Sequence, residues 1–115
     1  MRPGQLEPNE FELAILERLA RKEPSIRGSI NQLHVLSREF TGVGCFTSFQ
    51  CDASGAGASV QHIGLDVLIN MPGVPYGMGA VLFRKGGKPE CLEIFTYGGE
   101  HWDGVYEGFS IEQTA

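Results

Sequence analysis

Ala80-Val81-Leu82-Phe83-Arg84, Lys85-Gly86-Gly87-Lys88 and Cys91-Leu92-Glu93-Ile94-Phe95-Thr96 are consecutive blocks of this chain. Two apolar, β-favouring runs flank a short glycine-containing turn, which predicts an antiparallel hairpin. No other stretch signals pairing as strongly, so the hairpin sets the frame for the rest.

Upstream, Leu33 to Phe40 and Cys45 to Cys51 carry further runs of β-branched, aromatic and alternating residues. Thr41-Gly42-Val43-Gly44 separates them and permits a bulge or tight turn, so a second antiparallel pair is expected. Segment 52–59 is small and polar and reads as a mobile loop, and Val60 to Asn70 reads as a strand interrupted at Gly64. Met71 to Gly79 holds two prolines and three glycines and is expected to be a long connection, neither helix nor central strand.

The N-terminal part has a different period. Asn9 and Glu12 form a capping box behind Pro8, and Phe11, Ala14, Ile15 and Leu19 recur at three- and four-residue steps. Glu10, Glu17, Arg18 and Arg21 fall on the opposite side, and Pro24 forces a stop. An amphipathic helix over 10–22 is predicted. One helix and about five strands follow, with too few helices to cross over between parallel strands. The expected fold class is therefore α+β in one domain spanning 1–115, its N-terminal helix packed on a mostly antiparallel sheet.

Composition excludes several classes. Sixteen glycines and six prolines in 115 residues rule out a long helical bundle, and 42% hydrophobic content rules out a disordered polyelectrolyte. Nine basic against fourteen acidic side chains give −5, which argues against broad binding to nucleic-acid backbones. The apolar run Val67-Leu68-Ile69 is far short of the roughly 20 residues that span a bilayer. With no secretory-type leader at residues 1–8 and an odd set of three cysteines, the expected compartment is cytoplasmic, with reduced thiols.

The charge is unevenly placed. Residues 1–40 carry six basic and six acidic side chains, whereas from Glu90 onward there are six acids and no lysine or arginine. Such a segment steers basic partners toward it, and it also serves solubility.

Motifs for chemistry are weak. Gly42-x-Gly44, Gly55-x-Gly57 and Gly77-x-Gly79 lack both the third glycine and the following helix that a phosphate loop needs. Cys45, Cys51, Cys91, His34, His62 and His101 show no metal-ligand spacing, so no metal or cofactor is expected. A cysteine nucleophile paired with a histidine is allowed by composition but marked by no motif.

Two features stand out. Arg38 and Phe40 share a strand face, as do Glu93 and Phe95, so neighbouring strands would pair Arg38 with Glu93 beside aromatic rings. Tyr97-Gly98-Gly99-Glu100-His101-Trp102-Asp103-Gly104-Val105-Tyr106 places three aromatics, a histidine and two acids in a glycine-rich loop. Trp102 either belongs to a recognition surface there or folds back over the sheet end.

The stretch Arg38-Glu39-Phe40-Thr41-Gly42-Val43-Gly44-Cys45-Phe46-Thr47, then Gly79-Ala80-Val81-Leu82-Phe83, then Leu92-Glu93-Ile94-Phe95-Thr96-Tyr97 resembles a family of small uncharacterised bacterial proteins. Its pattern reads R-x-[FY]-T-G-V-G-x-F-T, G-x-x-L-F and L-E-x-x-T-Y, and Cys45 stands where an aromatic residue is expected. The resemblance implies a compact domain in which Arg38 to Thr47 matters, and implies no activity.

The resulting expectation is a non-catalytic cytosolic binding protein. Arg38, Glu93, Tyr97, Glu100, His101, Trp102 and Asp103 are the candidate binding residues. A basic protein is the expected partner, in the manner of an immunity- or antitoxin-like inhibitor, and neither nucleic acid nor a membrane is. The alternative is an enzyme or small-ligand binder with Arg38, Glu93 and His101 around one concavity. Homodimerisation through an exposed strand edge is also compatible with the sequence.

Overall fold

The first helix forms where its caps place it. In a computed structural model, which describes residues 7–51 and 61–112, α1 spans Glu10–Lys22. The Glu12 N–H donates to Asn9 Oδ1 at 2.8 Å and the Asn9 N–H donates to Glu12 Oε1 at 2.9 Å, closing the capping box. Phe11, Ile15, Leu16, Leu19 and Ala20 form its buried face. Beyond it a 3₁₀ turn (Pro24–Ile26) and the one-turn helix α2 (Arg27–Ile30) lead the chain into the sheet.

Among the described residues the sheet has seven strands: β1 (Leu33–Phe40), β2 (Gly44–Cys51), β3 (Gln61–Gly64), β4 (Ile69–Met71), β5 (Val74–Lys85), β6 (Lys88–Thr96) and β7 (Ser110–Ile111). Their order is β1-β2-β6-β5-β4-β7, with β3 also paired to β5, and every pairing is antiparallel. The α+β class and the antiparallel sheet agree with the sequence reading, and the strand count exceeds it. The hairpin that set the frame is β5–β6, closed by Gly86 and Gly87 at φ 61° and 80° between Lys85 and Lys88. Both turn residues need the left-handed conformation that glycine adopts freely.

The largest departure lies at 71–79, expected as a long connection. There Pro72-Gly73 makes a tight turn between Met71 and its partner Val74, and β5 runs through Pro75 to Gly79. The prolines are tolerated because Pro72 sits in the turn and Pro75 in a bulge, between the pairs Met71↔Val74 and Ile69↔Met78. A bulge is one of the places where a strand can do without a proline N–H. The interruption expected at Gly64 is real: β3 ends there, and β4 rejoins β5 further along. Segment 52–59, read as a mobile loop, lies outside the described residues.

The core occupies one face of the sheet. The apolar side of α1 meets Leu33 and Val35 of β1, Cys45 and Phe49 of β2, Met78, Ala80 and Leu82 of β5, and Leu92 and Ile94 of β6. The molecule measures 39 × 38 × 21 Å, and its short dimension fits one helix layer on one sheet layer, given layer spacings of about 10 Å. Among the described residues no helix covers the other face of the sheet. Among the described residues no helix is long and apolar enough to cross a membrane.

Candidate interaction surface

Arg38 emerges from β1 on the helix side. Its Nε donates to Glu12 Oε2 at 2.8 Å and its Nη2 to Glu12 Oε1 at 2.7 Å, while Thr47 Oγ1 donates to Glu12 Oε2 at 2.8 Å. The Glu12 side chain is 2% exposed, so its charge is met by a planar cation and further donors, as a buried carboxylate requires. The hydrogen bond to Glu12 raises the Arg38 pKa above its ordinary value, against an opposing effect of burial. Arg38 therefore ties the helix to the sheet.

That placement corrects the expected pairing of Arg38 with Glu93. β2 separates β1 from β6, and the registers put Arg38 in line with Thr47 and Leu92 on the core side, and Glu93 in line with Phe46 and Val81 on the other. His101 is exposed in the loop after β6. Arg38 and Glu93 thus lie on opposite sides of the sheet and share no concavity.

The loop 97–109 closes one end of the core. The Trp102 N–H donates to the Gly42 carbonyl at 2.9 Å and its Nε1–H to the Val105 carbonyl at 2.9 Å. The ring packs 5.9 Å from Phe11 and 6.1 Å from Phe40, centroid to centroid, and Trp102 is 5% exposed. Of its two sequence readings, folding back over the sheet end is the one realised, so its ring is not available to a partner. Tyr106 and Phe109, which the sequence did not single out as core, pack on Phe11, Tyr106 stacked at 5.8 Å and Phe109 tilted at 4.8 Å. Asp103 is exposed, its Oδ1 accepting the Val105 N–H at 3.0 Å.

The thiols are poorly placed for nucleophilic work. Burial pushes both the Cys45 and the Cys91 thiol above the ordinary value, which disfavours the thiolate. All three cysteines are free, and among the described residues no three His, Cys, Asp or Glu side chains come together as a metal site.

Among the described residues, no helix covers the second face of the sheet. Strand pairing arranges its side chains in rows: Glu39, Phe46, Glu93 and Val81; Ser37, Ser48, Cys91, Phe83 and His62; then Phe95 between Gly44 and Gly79. Phe46, Val81, Phe83, Glu93 and Phe95 are half-buried, neither sealed in a core nor fully solvated. Tyr97 continues this face, its ring edge-to-face with Phe95 at 5.4 Å and lying over Gly79, where a Cβ would come within 2.6 Å of the Tyr97 hydroxyl. These rows hold two carboxylates, and the only lysines that continue the face along β5 and β6 among the described residues are Lys85 and its partner Lys88 at the hairpin end. Of the expected binding residues, Glu93 and Tyr97 are together here, whereas His101 and Asp103 stand in the end loop and Glu100 turns inward below it. Phe46, Val81, Phe83 and Glu39 were legible only as outward positions of a period-2 pattern, and that pattern does not say which face a helix will cover.

No family model, curated protein or solved structure matches this chain.

Proposed function

We propose that the protein is a non-catalytic binding protein whose uncovered sheet face, together with the acidic end loop, docks a basic protein partner. The observation that carries this reading is the band of half-buried aromatics around Glu39 and Glu93, whose three rows hold two carboxylates, with the Lys85–Lys88 pair lying beyond them at the hairpin end. Aromatic rings supply contact area and stack on cations, and carboxylates among them select for positive charge. An inhibitor-like role fits this chemistry, because covering a basic site on another protein needs shape and charge and no reaction. The compartment in which the pair would meet is the cytoplasm.

The test is a pull-down from the cell's own extract at low and high salt, with wild type and the Glu39→Gln/Glu93→Gln/Asp103→Asn variant as baits. A stoichiometric basic partner held by wild type, released by salt and lost by the correctly folded variant is expected. Equal capture by both baits, or no capture by either, would contradict the reading.

A further inference from the structure

Glu100 is the one carboxylate among the described residues whose two oxygens are both buried and both without a hydrogen-bond partner. The main chain positions it firmly. Thr96 Oγ1 donates to the Glu100 carbonyl at 3.0 Å, and the preceding Gly99 takes φ 73°, which turns the loop back on the end of β6. A Cβ at Gly98 would overlap both Glu100 Oε2 and Tyr76 Cδ2, so the carboxylate and the tyrosine ring sit side by side in space that only a glycine leaves open. Tyr76 itself is 69% exposed, the most exposed large apolar side chain described.

A carboxylate out of water and without donors is an unmade set of charge-assisted hydrogen bonds. The group that completes it best is planar, permanently charged and able to donate to both oxygens while stacking on a ring. We infer that Glu100 and Tyr76 form a socket for a single guanidinium group, presented by an arginine of the partner. Neither Glu100 oxygen is exposed in the free chain, so the guanidinium enters as the outward-lying Tyr76 ring moves aside, takes both oxygens of Glu100 and stacks against that ring. This inference rests on the reading that the partner is basic, and it adds the side chain that partner must present. It also gives Tyr76 a role that no sequence motif marked.

The full chain, labelled with ¹⁵N, is titrated with N-acetyl-arginine methylamide, with the lysine and the neutral citrulline analogues as controls. Saturable shifts at Tyr76, Gly98, Gly99 and Glu100 with the arginine probe are expected, with citrulline giving none. Glu100→Gln, which keeps shape and removes charge, and Tyr76→Ala are each expected to weaken the arginine response by about tenfold or more, with Tyr76→Phe retaining it. Absence of saturation in wild type, an equal response to lysine or citrulline, or an unchanged response in folded Glu100→Gln would overturn the socket. A partner captured by Glu100→Gln as tightly as by wild type would also overturn it and leave the docking face standing, whereas absence of any partner with an intact arginine response would reject the docking face and leave the socket.

Discussion

Arg38 shows how a residue that reads as a surface cation becomes part of the architecture. Its guanidinium balances Glu12, which is 2% exposed, and removing it leaves that carboxylate buried with only Thr47 and the Asn9 N–H as donors. Arg38→Met is therefore expected to lower stability by about 3 kcal/mol in urea unfolding, while Arg38→Met/Glu12→Leu recovers much of that loss, as replacing both partners of a buried pair does. A double variant no better than the single one would show that the pair itself, and not the orphaned charge, carries the effect. Cys45 gives a pH signature. Because burial raises its pKa above the ordinary 9.0, the folded chain holds the thiol proton where the unfolded chain releases it. The sign follows: this contribution is complete below pH 9.0, and it is lost as pH rises through the folded-state value. Unfolding followed from neutral to strongly alkaline pH should show a decline that Cys45→Ala makes shallower, and a thiol reagent should reach Cys45 only as the chain unfolds.

At the scale of elements, the parts that could be read from sequence are those whose signals are local. Asn9 and Glu12 are three residues apart and both act within one turn, and Gly86-Gly87 closes a hairpin between adjacent positions. Asn9→Ala is expected to cost about 1 kcal/mol through the lost cap. Gly87→Ala should cost about 1–2 kcal/mol, since alanine must take the left-handed conformation there. Denaturant midpoints check both, and a neutral Gly87→Ala would mean that the turn is not held as described. The parts that could not be read depend on distant partners. Arg38 and Glu12 are 26 positions apart, and nothing near Arg38 marks it as bound. Pro75 reads as a strand breaker until the two-against-four count between β4 and β5 puts it in a bulge. Trp102, read equally well as surface or cover, is decided by the Gly42 carbonyl on a different hairpin.

For the whole molecule, among the described residues one helix layer covers one side of a seven-stranded sheet and no helix covers the other, where aromatic rings surround Glu39 and Glu93. Hydrogen exchange should be slowest in β2, β6 and the middle of β5, which have strands on both sides, and faster in β1, β3 and β7. The bulge at Leu36, 58% exposed on the outer strand β1, disrupts the edge along which another strand would add. That directs attention from the edge to the open face. The most direct measurement is hydroxyl-radical footprinting of the chain alone and of its complex with the captured partner. Protection of Phe46, Phe83, Phe95 and Tyr97 on binding, with Leu13 and the outer side of α1 labelled as before, is the result this account predicts. Unchanged labelling of those four rings, with protection falling on α1 instead, would contradict it.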